Sequence, residues 1–242
     1  TPKGVVHSHF SALAFVRWAV EEVGVTAEDR LSGHAALSFD LSTFDVFAAC
    51  AAGAALVPVP DSIRFRGTLL AQFIARYALT IVYTVPSAWP PILAANCPDS
   101  LKTLRAILFA GEVFPPADLR RLHAVAPQAR LLNLYGPTET NVVTWHEVTE
   151  RELSEEVMSP VIGRACPGTR LTVTPLHDGD PHAGELHVDG PTRMIGYFGQ
   201  QPLQGPYATG DQVRVLPDTR LVFEGRLDGQ IKVRGHRIET AE

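Results

Sequence analysis

Residues 80–85 read Thr-Ile-Val-Tyr-Thr-Val and are closed by Pro86, and this stretch decides the fold class. The run is short, almost continuously apolar and rich in β-branched residues, which is typical of a strand buried on both faces. Similar runs follow at residues 104–109 and 129–134, each after a segment with apolar residues at helical spacing. Because strands alternate with helices here, we expect an α/β fold with a mostly parallel sheet flanked by helices.

The same alternation extends upstream of this stretch. Apolar spacing predicts helices at residues 8–23, 39–51, 68–77, 87–95 and 115–124, with further short strands within 29–38 and at 54–57. After about residue 145, short strands separated by Gly, Pro and Asp turns replace the pattern, at 170–174, 184–188, 212–216, 220–223 and 230–234. We therefore predict three parts: residues 1–145, a β-barrel-like antiparallel part at 146–226, and the start of a further domain at 227–242.

Composition limits the classes of function. The 242 residues are 45% apolar and 19% charged, as in a folded globular chain. A net charge of -5 disfavours nucleic-acid binding, which needs an excess of Lys and Arg. The longest apolar run, residues 46–59, is too short to span a membrane and contains Gly53 and Pro58. The chain begins and ends inside apparent motifs, so we expect an internal segment of a longer protein.

The cysteines favour a reducing compartment. Cys50, Cys97 and Cys166 are odd in number and widely spaced, and they form no pattern typical of a zinc site. We expect buried, reduced thiols in a cytoplasmic protein.

Several short motifs each have a simple structural interpretation. Ser42 followed by Asp45 could form a capping box at a helix start, and Asp228-Gly229 could be a hairpin turn. The motifs are Thr1-Pro2-Lys3-Gly4, Phe39-Asp40-Leu41-Ser42, Asn133-Leu134-Tyr135-Gly136-Pro137-Thr138-Glu139, Gly184-Glu185-Leu186 with Gly190 and Gly196-Tyr197, Thr209-Gly210-Asp211, and Gly225-Arg226-x-Asp228-x-Gln230-x-Lys232-x-Arg234-Gly235. Their order and spacing are far more specific than any one of them.

In this order the motifs resemble those of the adenylate-forming superfamily, and within it the amino-acid adenylation domains of nonribosomal peptide synthesis. The resemblance covers the whole chain. It implies a nucleotide- and substrate-binding first part, a hinge at Asp228 and a mobile C-terminal domain. It also implies ATP and Mg²⁺ as cofactors, and a carrier protein with a phosphopantetheine arm as partner. The implied reaction joins a carboxylate to the α-phosphate of ATP, releases pyrophosphate, and then forms a thioester on the carrier.

The resemblance assigns roles to single residues. Glu139 would hold Mg²⁺, since carboxylate oxygens suit a hard cation, Thr138 would donate to the α-phosphate, and Lys3 would lie near the phosphate loop. Asp211 would accept hydrogen bonds from both ribose hydroxyls through its two oxygens. The other nucleotide contacts would be Tyr135 stacked on adenine, Asn133 at its amine, the backbone of Gly111 and Glu112 along the base, and Arg226 at the ribose or phosphates.

Asp40 indicates the substrate class. At this position the resemblance implies a carboxylate that pairs with an α-ammonium group; the alternative is a helix cap. The other lining positions are Leu41, Phe44, Thr84, Leu108, Ala110, Leu134, Val142 and Val143, where Thr84 is placed by counting back from Pro86 and a one-residue slip gives Tyr83. An apolar lining favours an apolar amino acid.

The order of these residues resembles the pockets of free-standing prolyl adenylation enzymes, so we favour L-proline. Valine, leucine or a modified proline stays open, because one methylene changes binding by only about 1–3 kcal/mol. An acyl- or aryl-CoA ligase and an inactive nucleotide-binding fragment are the alternatives from other classes.

Overall fold

The structure, a computed structural model, describes residues 3–154, 161–176, 180–228, 231–233 and 236–238. Contacts divide the chain into two compact units, each built from separate stretches of sequence. The α/β unit comprises Ala19–Leu132 and Glu147–Met158. The β unit comprises Thr1–Trp18, Asn133–His146 and Ser159–Glu242. Of the quoted motifs, Thr1, Pro2, Gly229, Gln230, Arg234 and Gly235 lie outside the described residues, and so does the possible turn at Asp228-Gly229.

Within the described residues the elements have the following bounds. The helices are α1 (His9–Val23), α2 (Ser42–Ala52), α3 (Gly67–Arg76), α4 (Trp89–Ala94), α5 (Pro116–Val125) and α6 (Glu150–Ser154). The strands are β1 (Val5–Val6), β2 (Arg30–Gly33), β3 (Ala55–Pro58), β4 (Ile81–Thr84), β5 (Ala106–Ala110), β6 (Arg130–Tyr135), β7 (Thr144–Glu147), β8 (Val161–Ala165), β9 (Arg170–Pro175), β10 (Ala183–Asp189), β11 (Gly196–Tyr197), β12 (Tyr207–Val215), β13 (Leu221–Arg226), β14 (Ile231–Val233) and β15 (His236–Ile238).

The α/β unit confirms the predicted parallel sheet. Strand β2 pairs in parallel with β3 and with β4, and β4 pairs in parallel with β5. One face of the sheet, including Val82, Ile107 and Phe109, packs in a buried core with apolar side chains of α3, α4 and α5. This packing explains why the strands are continuous apolar runs, since both of their faces are covered.

The buried carboxylate of Asp29 ties together the amino ends of these strands. Arg105, just before β5, donates from Nε to Oδ1 of Asp29 at 2.7 Å and from Nη2 to Oδ2 at 2.6 Å. Thr80, just before β4, donates to Asp29 Oδ1 at 2.8 Å, and the Thr26 amide donates to Oδ2 at 2.9 Å. Arg105 also donates to the carbonyls of Val23 and Gly24 at the end of α1. The network therefore joins α1, β2, β4 and β5 at the sheet edge opposite to the strand carboxyl ends.

The β unit confirms the predicted antiparallel sheet. Its strands follow the order β7-β8-β13-β12-β10-β9, and every neighbouring pair is antiparallel. Alternate residues of β10, among them Leu186 and Val188, are buried in a core with Val213 and Leu221. The strands at Thr144–Glu147 and Val161–Ala165 were not predicted from the sequence. Two-residue strands such as β1 and β11 carry too few residues to show a period.

Two further expectations concern the burial of the cysteines and the presence of membrane-spanning helices. All three cysteines are in thiol form, and Cys166 is buried as predicted. Cys97 is only partly buried and Cys50 is exposed on α2, so the prediction of burial was wrong for Cys50 and only partly right for Cys97. No helix in the described part of the chain is long and apolar enough to cross a membrane.

Candidate active site

Three predicted nucleotide-binding residues meet in the β unit. The hydroxyl of Tyr135, at the end of β6, donates to Oδ2 of Asp211 at 2.5 Å. Arg226, at the end of β13, donates from Nη1 to Oδ1 of Asp211 at 2.7 Å. Residues 211 and 226 are cross-strand partners in the β12–β13 pair, which places their side chains side by side. The Asp211 carboxylate is buried, with 3% of the residue exposed.

The electrostatics of this cluster fix which groups carry protons. Burial raises the pKa of Tyr135 well above its ordinary value, and the negative charge of Asp211 raises it further. Burial alone would lower the pKa of Arg226, but its bonds to Asp228 and the charge of Asp211 raise it. Tyr135 is therefore a neutral hydrogen-bond donor and Arg226 a permanent cation, so Asp211 is held as an oriented acceptor.

The predicted hinge residue is joined to the same cluster. Arg226 donates from Nε to Oδ1 of Asp228 at 3.0 Å and from Nη2 to Oδ2 at 2.5 Å. The Arg226 side chain also lies close to the backbone of β12: Gly210 has φ +70°, and a Cβ there would lie 3.0 Å from Arg226 Nη2. Asp228 itself is exposed.

A sharp turn after β6 positions Thr138 and Glu139. A Cβ on Gly136 would lie 1.7 Å from the carbonyl oxygen of Asn141, so only glycine fits there. Thr138 is exposed, whereas Glu139 is buried at 4% exposure. His7 contacts the carbonyl of Thr138 through Nε2 at 2.8 Å and must donate in that bond, because a carbonyl can only accept.

Two tyrosines to which the sequence analysis assigned no role surround Glu139. The hydroxyl of Tyr197, on β11, donates to Glu139 Oε1 at 2.7 Å. Tyr207, at the start of β12, interacts with both Glu139 and Tyr197; burial raises its pKa, and the charge of Glu139 raises it further. Lys3 Nζ lies 5.6 Å from the centre of the Tyr197 ring. Tyr197 belongs to the quoted Gly196-Tyr197 motif and Tyr207 lies two residues before Thr209-Gly210-Asp211, and these positions were the sequence signals for them.

The remaining predicted nucleotide contacts lie in both units. Asn133, in the β unit, donates from its side-chain amide to the Val161 carbonyl at 2.7 Å, which holds the amide group in one orientation. In the α/β unit, Gly111 follows β5 with φ +87°, and Glu112 Oε2 accepts from the Ser87 amide at 3.0 Å. Gly111 and Glu112 thus lie at the carboxyl end of a parallel strand, where such sheets bind ligands.

Asp40 does not cap helix α2. The N-cap position is Leu41, and no side-chain hydrogen bond caps this end. The possible capping box of Ser42 and Asp45 is therefore not formed; Ser42 Oγ instead donates to the Leu37 carbonyl at 3.4 Å. Burial raises the pKa of Asp45 well above its ordinary range. Asp40 is half-buried just before the helix and is not its N-cap residue.

Strand register separates Tyr83 from Thr84, the two candidates for one lining position. Tyr83 is paired with Leu108, and Thr84 with Phe109, so each pair shares a face of the sheet. The Tyr83 ring packs edge-on against the ring of Phe44, with centroids 5.5 Å apart. Tyr83 therefore shares its surroundings with two predicted lining residues, whereas Thr84 lies on the face of Phe109.

Thr84 has a different partner, His34. Nε2 of His34 donates to the Arg64 carbonyl at 3.1 Å, so Nδ1 accepts from the Thr84 hydroxyl at 2.9 Å. Burial lowers the pKa of His34 to about 4, which keeps the ring neutral at ordinary pH. The Thr84 hydroxyl is therefore engaged in a hydrogen bond to His34 within the α/β unit.

The other predicted lining residues are apolar and buried. Leu41, Phe44, Leu108 and Ala110 belong to the α/β unit, and Leu134, Val142 and Val143 belong to the β unit.

Glu139 is the predicted ligand for Mg²⁺, and its surroundings bear on that role. Among the described residues, no group of three or more His, Cys, Asp or Glu side chains could hold an ion by itself. Mg²⁺ does not need such a cage, because it is commonly held by one or two carboxylates together with water and substrate phosphates. The buried carboxylate of Glu139, oriented by a hydroxyl donor, fits that role.

The sequence of the chain is similar to those of known proteins. A family model described as AMP-binding enzyme matches residues 1–198. An "L-proline--[L-prolyl-carrier protein] ligase" of Pseudomonas fluorescens is 44% identical over 247 residues, covering 100% of this chain and 49% of the relative. A protein of the same name from Streptomyces coelicolor is 42% identical over 258 residues, covering 100% and 48%.

A solved structure gives the same result for the fold. The Vibrio cholerae adenylation domain AlmE, crystallised in complex with glycyl-adenosine-5'-phosphate, matches with a TM-score of 0.86 at 27% identity, over 99% of this chain and 48% of that one. The chain therefore spans about half the length of the relatives that it matches.

Proposed function

The chain belongs to the AMP-binding enzyme family, and from this premise we propose that its parent protein adenylates an amino acid with ATP and loads it onto a carrier protein. The observation that carries the proposal is the buried Asp211 carboxylate, oriented by Tyr135 and Arg226. A carboxylate held in this way presents lone pairs to two neighbouring hydroxyls, as the cis-diol of a ribose requires. Two relatives of over 40% identity carry the name of a ligase for proline and a carrier protein, which supports the same reaction.

We propose that the residues act by positioning and by charge. A carboxylate oxygen of the amino acid attacks the α-phosphorus of ATP, the bond from that phosphorus to the bridging oxygen breaks, and pyrophosphate leaves. No protein nucleophile is needed for this displacement, so catalysis rests on alignment and charge neutralisation. Thr138 would donate to the α-phosphate and Lys3 would neutralise phosphate charge. Glu139 would hold Mg²⁺, which when bound supplies further charge neutralisation.

The nucleotide would be held by the other predicted residues. Tyr135 would stack on the base, Asn133 would face its exocyclic amine, and the backbone of Gly111 and Glu112 would line it. Arg226 would reach the ribose or phosphates while it holds Asp211. Its second carboxylate partner, Asp228, is the proposed hinge.

The amino acid would be recognised through Asp40. Asp40 is not the N-cap residue of α2, and a half-buried carboxylate is suited to pair with an α-ammonium group. We propose Tyr83 rather than Thr84 as the lining residue of β4, because Tyr83 contacts Phe44 and shares a face with Leu108. Large rings at Tyr83 and Phe44 would leave room for a small apolar side chain, and L-proline is the proposed substrate.

The test is ATP–pyrophosphate exchange by the intact protein with a panel of acids that includes proline, valine, leucine, benzoate and a fatty acid. We expect exchange with proline above the others, and a loss of at least about 100-fold in kcat/KM for proline in Asp40→Asn. Asp61→Asn is the matched control, since the Asp61 side chain is 88% exposed. Exchange with benzoate or a fatty acid but no amino acid would identify an acyl- or aryl-CoA ligase instead. No exchange with any acid would indicate an inactive nucleotide-binding protein.

The pocket assignment has its own test. Tyr83→Leu should change the ranking of amino acids in the exchange panel, whereas Thr84→Val should keep the ranking and lower stability, because it removes the hydrogen bond to His34. A changed ranking in Thr84→Val alone would restore Thr84 as the lining residue.

A further inference from the structure

We propose that Tyr197 is a positioning residue that couples the lysine of the phosphate loop to the metal-holding carboxylate, an inference that rests on the proposed function. The hydroxyl and the ring of Tyr197 contact different partners. The hydroxyl donates to Glu139 Oε1 at 2.7 Å, and the ring lies 5.6 Å below Lys3 Nζ. A cation at this distance from an aromatic face is attracted by the electron density of the ring.

Backbone pairing fixes Tyr197 in this place. Strand β11 pairs antiparallel with β1, with Val5 opposite Tyr197 and Val6 opposite Gly196. The pairing continues on both sides, since the Phe198 amide donates to the Gly4 carbonyl at 2.7 Å and the Ile195 amide to the Val6 carbonyl at 2.8 Å. A Cβ on Gly4 would lie 3.1 Å from Phe198 Cβ, so glycine lets the two chains approach. The segment that carries Lys3 is therefore held in register with Tyr197.

Glu139, the residue that the Tyr197 hydroxyl contacts, is also fixed by a backbone hydrogen bond. The Met194 amide donates to the Glu139 carbonyl at 2.7 Å, so the backbone before β11 is bound to the backbone of the carboxylate that Tyr197 contacts. Glu139 is buried, and a hydroxyl donor to one of its oxygens restricts the rotation of the carboxylate. Partners of this kind, which orient a metal ligand without touching the metal, typically change metal affinity about 10–100-fold when they are removed.

The two parts of Tyr197 can be separated by substitution. Tyr197→Phe removes the hydroxyl and keeps the ring under Lys3, while Tyr197→Leu removes both. Tyr77→Phe is the matched control, because Tyr77 packs against Phe73 in the α/β unit and has no proposed role in binding or catalysis. Neither substitution at 197 alters the backbone bonds of β1 and β11, and thermal melting of each variant without ligands reports whether the fold is kept.

The measurement is Mn²⁺ binding followed by electron paramagnetic resonance, with the intact protein and a non-hydrolysable ATP analogue. Tyr197→Phe is expected to weaken Mn²⁺ binding about 10-fold, and to raise the Mg²⁺ concentration for half-maximal exchange by a similar factor, with the KM for the amino acid changed less than twofold. Tyr197→Leu should in addition raise the KM for ATP several-fold.

The outcomes separate this inference from the proposed function. Unchanged Mn²⁺ binding and Mg²⁺ dependence in a folded Tyr197→Phe protein would overturn the inference while exchange activity stands. Weakened Mn²⁺ binding in a protein that exchanges no pyrophosphate would support the inference and overturn the proposed function. If Tyr197→Phe does not fold, the same Mn²⁺ measurement on Tyr197→Leu tests the loss of the hydroxyl, and unchanged Mn²⁺ binding there would overturn the inference.

Discussion

Asp29→Asn should destabilise the α/β unit more than any comparable change of a surface carboxylate. Burial opposes ionisation of Asp29, but the hydrogen bonds and charge of Arg105, with bonds from Thr26 and Thr80, lower its pKa from 3.8 to about 2. At about 1.4 kcal/mol for each pKa unit, the ionised form gains roughly 2.5 kcal/mol on folding. Because 38% of the Arg105 side chain is exposed and screened by water, we expect a loss of about 1.5–2.5 kcal/mol.

The assay is urea unfolding followed by circular dichroism at pH 7, with Asp99→Asn as the control. Asp99 pairs with Lys102, but their side chains are 84% and 71% exposed, so the control should lose less than about 0.5 kcal/mol. The folded pKa of Asp29 lies below the unfolded one, so its contribution is complete above about pH 4 and disappears as pH falls toward 2. Equal stability of the two variants at pH 7 would refute the reasoning.

Three further predictions concern single residues. His34 has a folded pKa of about 4 against 6.5 unfolded, so stability should fall by about 3 kcal/mol from pH 6.5 to 4, and His34→Asn should remove most of that slope in urea titrations across this range. Gly136→Ala should abolish exchange or prevent folding, since its Cβ would overlap the Asn141 carbonyl, and wild-type activity would contradict the tight turn. Asp211→Asn should lower kcat/KM for ATP at least about 100-fold with a smaller effect on the KM for the amino acid, and an equal effect on both would argue against ribose binding.

Some features were predictable because they depend on local sequence. The helices at residues 8–23 and 68–77 were predicted within about two residues of α1 and α3, since an apolar period is visible within a single element. The parallel order of β2, β4 and β5 followed from alternation with helices, because a crossover helix requires parallel neighbours.

Other features were missed because their signal is not local. Strand β8 follows residues 155–160, which lie outside the described part of the chain. No alternation of apolar and polar residues in the sequence indicates this strand. Helix α2 begins at Ser42 instead of near residue 39, because residues 39–41 form turns in which the amides of residues 42–44 donate to carbonyls three positions back. The exposure of Cys50 likewise depends on which side of α2 faces the sheet.

The sequence by itself determined the fold class, the family resemblance and the residue types of the candidate site, since these depend on periods and spacings along the chain. Only the tertiary structure decided which side chains meet. Tyr135 and Asp211 are 76 positions apart, and Glu139 and Tyr197 are 58 apart, so no local pattern links them. The choice between Tyr83 and Thr84 also depended on strand register. A one-residue step along a strand reverses the face, and only pairing with a neighbouring strand shows which face a residue takes.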